Sequence, residues 1–313
     1  MATGLITVAI PTHNRAALLA QTLASLGPLA IPEGAAIECL VIDNASTDST
    51  ASVVRSAAAA LRFPLRCIVE ERLGSSFARN RAVAESRGGL LCFIDDDVVV
   101  EPDWLLELSR ELIRRRLDAV CGMVLPQFLS PPPKWLGSRL YVKLAVHDAR
   151  AIEQMEPAMR ERLHNYFSAN VAFQRQTFEL FGSFREDLGV VGGNPISGED
   201  TELFARIMVR GGSVGFAPRA RVHHLIGPER LTARYLRRKS FAFGMGSAFE
   251  GGKTHNRLEK LFRNGGRMLW AAARGDREAM IHHQLEIWNY FGFCRGRMIQ
   301  WNTNPRPRAL RDG

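Results

Sequence analysis

Three consecutive aspartates, Asp95, Asp96 and Asp97, follow the apolar run Leu90–Ile94. Carboxylates this close together repel one another and raise one another's pKa values. A divalent cation removes that repulsion, and hard cations such as Mg²⁺ and Mn²⁺ prefer carboxylate oxygens. The other interpretation is a solvated acidic turn. A position directly after a buried strand favours a metal site, because open α/β sheets bind their ligands at strand ends.

Polar residues also follow the first apolar run, Leu5–Ile10, in the sequence PTHNR (residues 11–15). The hydroxyl of Thr12 and the amide of Asn14 can hydrogen-bond to a nucleotide base or ribose. Alternatively, either side chain can cap the helix that follows. Asp43 ends the next apolar run. It is predicted either to accept a hydrogen bond from a ribose hydroxyl or base N–H, or to serve as an N-cap or Asx-turn residue.

A segment with the sequence GSSFARN begins at Gly74. Glycine and small side chains let a ligand approach the backbone closely, and Arg79 can face a diphosphate or hold the aspartates in place. The alternative is the start of an ordinary helix that carries a surface arginine. The segment is not a P-loop, because no GK[ST] follows, and it does not match GxGxxG.

Two pairs of titratable residues lie later in the chain. Glu199 and Asp200 head a helix after a glycine-rich approach, which favours a general base for a substrate hydroxyl. The alternative is stabilisation of two acids by the helix dipole. His223 and His224 lie in a short strand, and a neutral imidazole there can complete a metal shell. A histidine in a strand is more often structural, so this assignment depends on the aspartates.

The elements that position these residues alternate in type along the first part of the chain. The predicted strands are Leu5–Ile10, Ile37–Ile42, Leu65–Val69, Leu90–Ile94 and Asp118–Val124. The predicted helices are Ala16–Leu26, Thr50–Leu61, Ser76–Ser86 and one from Pro102, at its first position, to Arg115. This alternation predicts an α/β fold with a parallel sheet covered on both faces.

The alternation stops after Val124. A proline-rich stretch, Ser130–Pro133, lies in a predicted irregular insertion at residues 125–165. The elements predicted beyond it are the strand Asn170–Arg175, the helix Thr177–Phe181, the glycine-rich loop Gly189–Gly198, the helix Asp200–Arg210 and the strands Ser213–Ala217 and Ala220–Leu225. From Leu231 onward the chain is predicted to be mostly helical, basic and rich in aromatic residues.

Charge is unevenly distributed over the 313 residues, of which 46% are hydrophobic and 23% charged. Residues 228–313 hold 17 Lys and Arg against 7 Asp and Glu, a surplus of +10, whereas the net charge of the whole chain is +9. The basic segment predicts a polyanionic neighbour, with anionic lipid, a phosphate-bearing substrate and nucleic acid as candidates. The alternative is a solvated helical face.

Cysteine usage and hydropathy predict the compartment. The five cysteines show no CxxC pair and no regular spacing, which favours buried thiols in a reducing compartment over disulfides or zinc. No apolar stretch approaches the ~18 residues needed to span a bilayer. The N-terminal sequence lacks a basic n-region and enters a strand at once, so no signal peptide is predicted.

The polar segments together resemble a known family. The sequences VAIPTHNR, VIDNASTD, GSSFARNRA, FIDDDVVVEPDWL, NVAF with FGSF, GED and VHH occur in the order typical of family 2 glycosyltransferases. The resemblance implies a GT-A fold, which has a Rossmann-like, mostly parallel nucleotide-binding sheet with helices on both faces. It covers roughly residues 5–245. We expect a catalytic domain at residues 1–228, followed by a helical C-terminal segment at residues 229–313.

The resemblance also implies roles for individual residues. The residues implied to bind the nucleotide are Pro11, Thr12, Asn14, Arg15, Asp43, Gly74, Arg79, Asp95 and Asp96. Asp97 resembles the metal ligand of the family, and His224 fits the family's late histidine better than His223 does, because the pattern reads Val-x-His. Asp200 resembles the catalytic base, with Glu199 as its neighbour.

The activity that the resemblance implies is inverting transfer of a sugar from a nucleotide-diphosphate sugar, taken here as a UDP-sugar, to an acceptor hydroxyl. It implies a divalent cation, Mn²⁺ or Mg²⁺, as cofactor. The acceptor is expected to be a glycan, a lipid-linked sugar or a small molecule in glycan or glycolipid biosynthesis. We expect a cytoplasmic protein that contacts the anionic inner face of the membrane. The aromatic and basic C-terminal segment suggests this contact.

Three other functions are considered. A sugar nucleotidyltransferase usually needs a glycine-rich loop with Lys or Arg after the first strand, and residues 11–15 contain only one arginine. A non-catalytic sugar-nucleotide-binding protein would not need intact Asp95, Asp97 and Asp200. A nucleic-acid-binding protein is not expected, because the sequence has no zinc-finger, RRM or helix-turn-helix signature.

Overall fold

The computed structural model describes residues 4–156, 166–189, 198–249 and 257–300, together with the backbone of the last helix as far as residue 303. Eight strands form one sheet: β1 (Leu5–Thr12), β2 (Ala36–Asp43), β3 (Leu65–Val69), β4 (Leu90–Ile94), β5 (Val98–Val100), β6 (Ala119–Phe128), β7 (Asn170–Gln174) and β8 (Val214–Ile226). Their order in the sheet is β3-β2-β1-β4-β7-β6-β8-β5.

The described helices are α1 (Ala16–Ser25), α2 (Thr50–Ala60), α3 (Ser75–Glu85), α4 (Trp104–Arg114), α5 (Ala149–Glu153), α6 (Arg175–Phe181), α7 (Glu199–Val209), α8 (Ala233–Phe249), α9 (Arg257–Ala273) and α10 (Arg277–Thr303). Two 3₁₀ turns, Ser138–Leu144 and Pro228–Arg230, lie between them. None of these helices is long and apolar enough to cross a bilayer.

The sheet is mixed, and its parallel part is the one predicted from the alternating elements. Strands β3, β2, β1 and β4 are parallel neighbours, and β6 is parallel to β8. Strand β7 runs antiparallel between β4 and β6, and β5 runs antiparallel to β8. The prediction of a mostly parallel sheet with helices is confirmed, and the helical C-terminal region is present.

The sheet separates two hydrophobic cores. Successive residues of β1 and β2 contribute to opposite faces, so Val8 and Val41 belong to one core and Ala9 and Leu40 to the other. Helices α1, α2 and α4 cover the first face, and α3, α6 and α7 cover the second. Burial on both faces explains why these strands are almost continuously apolar rather than alternating.

Asn170 at the start of β7 joins three strands and a helix. Its Oδ1 accepts a hydrogen bond from the Trp104 indole at 2.7 Å. Its Nδ2 donates to the carbonyls of Met123, at 3.0 Å, and Ala220, at 2.9 Å. Gly122 faces this amide so closely that an added Cβ would overlap it. The NVAF segment therefore begins with a buried residue that stabilises the fold.

Several predicted elements differ from those observed. The two short strands expected at residues 213–225 are one strand, β8, with a register shift against β6 at Gly122 and Met123. The three-residue strand β5 was not predicted, because three valines are too few for a periodic signal. Pro102 lies two residues before α4 and not at its first position. Most of the expected loop Gly189–Gly198 lies outside the described residues.

The expected irregular insertion contains regular structure. Strand β6 continues to Phe128, and the turn Ser138–Leu144 and helix α5 follow before the undescribed residues 157–165. Helix α10 packs on that turn, where Lys143 lies 3.1 Å from Glu286. Helices α8 and α10 pack closely because Gly244 and Gly292 bring each backbone against the other helix. The C-terminal helices are thus attached to the insertion.

Candidate active site

A cleft of about 800 Å³ opens at the carboxyl ends of β1 and β4. Nine of the predicted site residues line it: Pro11, Thr12, Arg15, Gly74, Arg79, Asp95, Asp96, Glu199 and Asp200. Four others, Asn14, Asp43, Asp97 and His224, do not reach its wall. The predicted convergence of strand ends is therefore observed, because parallel strands deliver their C-termini to the same edge of the sheet.

Asp96 is a buried acid that joins β1 to the aspartate turn. Thr12 donates its hydroxyl to Oδ2 at 2.7 Å, and Arg15 donates to Oδ1 at 2.9 Å. Burial raises the pKa of Asp96 to about 6, against the positive charge of Arg15, and the neighbouring Asp97 adds to the rise. Thr12 therefore does not cap α1, and the N-cap residue of that helix is Arg15.

Asp97 lies beneath the cleft, almost completely buried, between two arginines. Arg15 donates to Oδ2 at 2.9 Å and Arg230 to the same oxygen at 2.6 Å. Burial alone would raise the pKa of Asp97, but the positive charges of Arg230 and Arg15 outweigh it and hold the pKa well below its usual range. Of the two buried neighbours Asp96 and Asp97, Asp97 is therefore the one that is held ionised.

His224 is placed beside Asp97 by the antiparallel ladder between β5 and β8, in which His224 pairs with Val98. The Leu225 amide also donates to the Asp97 carbonyl at 2.8 Å. His223, one residue earlier, points to Glu101 at 3.0 Å instead. Of the two histidines, only His224 therefore approaches Asp97, which agrees with the preference drawn from the Val-x-His pattern.

The donor atoms around Asp97 fit a cation. Asp97 Oδ1 is buried with no hydrogen-bond partner among the described residues, and it lies 3.4 Å from His224 Nε2. Neighbouring ligands of an octahedral ion with bonds of about 2.1 Å are about 3 Å apart, close to this spacing. Within the described ranges no group of three His, Cys, Asp or Glu side chains is arranged around one point. Two protein ligands suffice where substrate phosphates complete the shell.

Asn14 and Asp43 form the loop structure beside the cleft. Asn14 has a positive φ of 52°, and its Oδ1 accepts from the Thr47 amide at 2.7 Å. Asp43 Oδ1 accepts from the Ser46 amide at 2.9 Å, which is one of the two alternatives considered from the sequence. Their proposed contacts with a nucleotide remain predictions.

The Gly74 loop is held by Asn44, a residue that the sequence analysis did not single out. The Asn44 amide donates to the carbonyls of Glu70, at 2.9 Å, and Arg72, at 2.8 Å, and its Oδ1 accepts from the Gly74 N–H at 2.8 Å. Gly74 has a φ of 145°, which other residues rarely adopt. The VIDN segment carried the signal, because an amide directly after a strand end can join neighbouring loops.

Arg79 is buried and contacts the two acidic parts of the cleft. It binds Glu199 through Nη1, and its Nη2 lies 2.9 Å from Ser168 Oγ and 3.3 Å from Asp95 Oδ1. The position of Arg79 therefore supports the alternative in which it holds the aspartates, through Asp95, and it also lines the cleft where a diphosphate can reach it.

Both carboxylate oxygens of Glu199 accept hydrogen bonds. Oε1 accepts from Ser75 Oγ at 2.7 Å and from Arg79, and Oε2 accepts from the Gly198 amide at 3.1 Å. Burial would raise the pKa of Glu199, but the charge of Arg79 and these hydrogen bonds hold it below its usual range. An ionised carboxylate that is bonded at both oxygens and paired with an arginine is suited to positioning its neighbours rather than to accepting a proton.

Asp200 is less strongly bonded than Glu199. Among the described residues, its Oδ2 accepts a long hydrogen bond of 3.3 Å from the Ser168 amide, and Oδ1 accepts from the Thr201 amide at 2.8 Å and the Thr201 hydroxyl at 3.4 Å. Burial raises the pKa of Asp200, the negative charge of Glu199 raises it further, and Arg79 opposes both. A carboxylate with a raised pKa and a weakly bonded oxygen in a cleft has the properties of a general base.

The comparison with protein families decides the identity of the chain. The family model "Glycosyl transferase family 2" matches residues 7–182, which include β1, the Gly74 loop, the aspartate turn and β7.

The chain belongs to glycosyl transferase family 2.

Curated relatives agree with this assignment. The family 2 glycosyltransferase described here is 28% identical over 269 residues to the succinoglycan biosynthesis protein ExoM of Rhizobium meliloti, covering 86% of this chain and 79% of that protein. It is 27% identical over 180 residues to a glucosyl-dolichyl phosphate glucuronosyltransferase of Haloferax volcanii, covering 56% of this chain and 55% of that one. These matches identify a glycosyltransferase, an enzyme class that builds glycans.

A solved structure agrees on the fold. The mannosyltransferase PcManGT of Pyrobaculum calidifontis, determined in complex with GDP-Man and Mn²⁺, superposes with a TM-score of 0.58 at 18% sequence identity. The superposition covers 96% of this family 2 enzyme and 76% of the mannosyltransferase. The expected GT-A fold is therefore confirmed.

Several residues of the cleft were missed by sequence reasoning. Lys143 comes from the insertion, Lys239 and Phe243 from α8, and Ser168 from the segment before β7. Lys239 and Phe243 are four residues apart and therefore share one face of their helix. Lys239 and Phe243 of the predicted C-terminal segment, residues 229–313, thus form part of the cleft wall of this family 2 glycosyltransferase.

Proposed function

We propose that this glycosyltransferase moves a sugar from a nucleoside diphosphate sugar, a UDP-sugar, to an acceptor hydroxyl with inversion at the anomeric carbon. The observation that carries the proposal is that Asp200, Asp95 and Asp96 line one cleft, in which Arg79 links Asp95 to Glu199, the neighbour of Asp200. A base on one side and a diphosphate-binding turn on the other are the two groups that a single in-line displacement needs.

Asp200 is proposed to take the proton of the acceptor hydroxyl as its oxygen attacks the anomeric carbon. The bond to the leaving diphosphate breaks in the same step, so that one C–O bond forms as another is lost. The transition state has oxocarbenium character, as in glycoside hydrolysis. Glu199 positions the start of α7 through Ser75 and Arg79, and its charge keeps Asp200 basic.

The nucleoside diphosphate is proposed to lie along β1, the Gly74 loop and the aspartate turn. The glycine lets the backbone approach the ligand, and Asp95 faces the cleft where a ribose hydroxyl can donate to it. Asp97 and His224 would hold a divalent cation, Mn²⁺ or Mg²⁺, which as a Lewis acid neutralises charge on the departing diphosphate. The Mn²⁺ and GDP-Man bound to the similar mannosyltransferase support this assignment.

The acceptor is proposed to enter beside the C-terminal helices, where Lys143, Lys239 and Phe243 line the cleft. A cationic and aromatic wall suits an acceptor that carries phosphate as well as sugar, as a lipid-linked glycan does. The relatives support glycan or glycolipid synthesis, since one acts on a glucosyl-dolichyl phosphate and another takes part in succinoglycan biosynthesis.

Contact with an anionic membrane is proposed for helix α9. Four of its large apolar side chains are exposed: Leu258 by 56%, Phe262 by 72%, Leu269 by 68% and Trp270 by 63%. The same helix has Lys260, Arg263 and Arg267 on its surface. Exposed apolar and basic residues on one helix favour a position in the membrane interface, with rings among the headgroups and cations at anionic lipids.

A donor assay with the variant Asp200→Asn tests the proposed reaction. We expect turnover to fall by about 10²–10⁴-fold, because the asparagine amide cannot accept the proton. Nucleotide binding, followed by thermal shift with a panel of nucleoside diphosphates and Mn²⁺, should stay near wild type. The matched control Asp103→Asn changes an exposed aspartate before α4 and should retain wild-type turnover.

The products of the same assay separate the alternatives. Release of a nucleoside diphosphate supports glycosyl transfer, whereas release of pyrophosphate would indicate a nucleotidyltransferase. Nucleotide binding with no turnover for any donor and acceptor would indicate a non-catalytic binding protein. An Asp200→Asn variant with wild-type turnover would show that Asp200 is not the base.

A further inference from the structure

Arg230 contacts both residues of the proposed cation site, Asp97 and His224. Its Nη2 donates to Asp97 Oδ2 at 2.6 Å, and its Nη1 lies 2.7 Å from His224 Nε2. The guanidinium fork thus spans the carboxylate and the imidazole at once. Its remaining contact is weak, because Arg230 Nε lies 4.0 Å from the exposed Glu229.

The imidazole of His224 cannot bind Arg230 and a metal ion through the same nitrogen. Arginine has no acceptor, so at 2.7 Å Nε2 must accept the hydrogen bond with its single lone pair. A metal ion bound to Nε2 would need that same lone pair. The contact of Arg230 with His224 and coordination of a metal ion by His224 Nε2 are therefore mutually exclusive.

Asp97 nevertheless needs a positive partner at all times. Its side chain is only 2% exposed, and an ionised carboxylate at this depth is strongly destabilising without a compensating charge. Arg15 compensates part of the charge, but it contacts Oδ2 and also serves Asp96. Oδ1 has no hydrogen-bond partner in the described part of the chain and faces His224, so the position between them is the place for a cation.

We propose that Arg230 is a built-in counter-ion, which occupies the Asp97–His224 site and has to withdraw before a divalent cation binds there. This inference rests on the proposed cation site. Arg230 keeps the two ligands oriented and Asp97 neutralised, and the energy needed to displace it lowers the affinity for the free ion. The turn Pro228–Arg230, at the entry to the C-terminal helices, thereby becomes part of the active site.

Binding of Mn²⁺ to the full chain without nucleotide, measured by electron paramagnetic resonance of the free ion, tests this inference. We expect Arg230→Gln to bind Mn²⁺ about tenfold more tightly than wild type. When Arg230 occupies the site in about nine of ten wild-type molecules, the apparent affinity for Mn²⁺ is about tenfold lower than that of the vacant site. The matched control Arg221→Gln removes a guanidinium from β8, the strand that carries His224. Arg221 faces Glu153, so this variant should leave the affinity unchanged.

Thermal unfolding gives a second measurement. In EDTA the Arg230→Gln variant should melt below wild type, because Asp97 loses a partner, and Mn²⁺ should raise its melting temperature more than it raises that of wild type. Equal or weaker Mn²⁺ affinity in Arg230→Gln would overturn the counter-ion role.

The double variant Asp97→Asn/Arg230→Gln tests the site itself. Undiminished Mn²⁺ binding there would refute the proposed cation site, whereas lost binding would support it.

Discussion

At the scale of residues, the site depends on how burial and fixed charges divide protons among its carboxylates. The same type of side chain is placed in three different situations. Asp97 is held ionised by neighbouring cations, Asp96 has a pKa raised to about 6, and Asp200 has a raised pKa beside an ionised Glu199. The carboxylate best suited to accept a proton is therefore the one with the fewest cationic contacts.

The pH profile of the enzyme should report the coupling between Glu199 and Asp200. Asp200 must be ionised to act as a base, so activity should fall as the pH drops through its raised pKa. In Glu199→Gln a neighbouring negative charge is removed, which lowers the pKa of Asp200, while the positive charge of Arg79 remains. We expect the acid limb of the kcat/KM profile to move to lower pH, with a reduced maximal rate because α7 loses its tie to Arg79.

A matched variant separates this electrostatic effect from a general one. Glu202→Gln removes a charge one turn further along α7, where Glu202 binds Arg206 at 2.8 Å. Its acid limb should coincide with that of wild type. A limb that stays in place in Glu199→Gln, or that moves equally in both variants, would contradict the proposed coupling.

At the scale of elements, the antiparallel strand β7 connects the two parallel parts of the sheet. Asn170 satisfies the Trp104 indole and two carbonyls in a buried space that has room for glycine only at position 122. Buried polar groups that lose such partners destabilise a protein by about 1–3 kcal/mol each. The position of the aspartate turn depends on the hydrogen bonds of Asn170, because the turn directly follows β4, and β4 pairs with β7.

The substitution Gly122→Ala should destabilise the fold without touching the cleft. The added Cβ would overlap the Asn170 amide and the Ala220 carbonyl, and overpacking of this kind lowers the free energy of unfolding by about 1–3 kcal/mol. Urea unfolding monitored by circular dichroism measures it.

Gly89→Ala is the control, because a Cβ there meets no atom within 4 Å. It should unfold at the wild-type urea concentration. Equal stability of Gly122→Ala and wild type would show that the sheet accommodates the methyl group by shifting.

At the scale of the whole molecule, the C-terminal helices serve both the cleft and the surface. Helix α8 provides Lys239 and Phe243 to the cleft wall, α10 packs on α8 and on the insertion, and α9 packs on α10 with its apolar side chains exposed. A membrane bound by α9 would therefore be connected to the acceptor side of the cleft through packed helices.

Sedimentation with anionic liposomes tests the membrane contact. We expect wild type to bind at low salt, and binding to weaken at 0.5 M salt, because screening reduces attraction to the headgroups. Phe262→Ser and Trp270→Ser should each weaken binding about tenfold or more, since burial of a large apolar side chain contributes about 1.5–3 kcal/mol.

The matched control for this experiment is Leu180→Ser with Val209→Ser. These residues are 62% and 87% exposed, yet they lie on α6 and α7. Liposome binding by this control should equal that of wild type. No binding of wild type at low salt, or equal losses in both sets of variants, would refute a specific membrane face on α9. If wild type forms a dimer and Phe262→Ser does not, the exposed apolar side chains of α9 bind a second copy of the chain instead of a membrane.

How much of this could be predicted from the sequence differs between the two halves of the chain. In the first half, strands of 5–8 residues end in polar residues, and a parallel sheet must bring such ends together. That local regularity is why seven of the ten site residues predicted in the first half line the cleft. Residues 125–165 and the C-terminal helices have no such period, so their contribution to the cleft could not be derived.

Local order along the chain determined the family, the parallel sheet and the acids of the cleft, because hydrophobic period and strand-end residue types are properties of short segments. Only the tertiary structure decided which cations surround each acid. Arg230 reaches Asp97 across 133 positions and Arg79 reaches Glu199 across 120, and no local pattern encodes contacts between residues so far apart. Because these contacts join residues far apart in the sequence, the relative pKa values of Asp96, Asp97 and Asp200 depend on the packing of the folded chain.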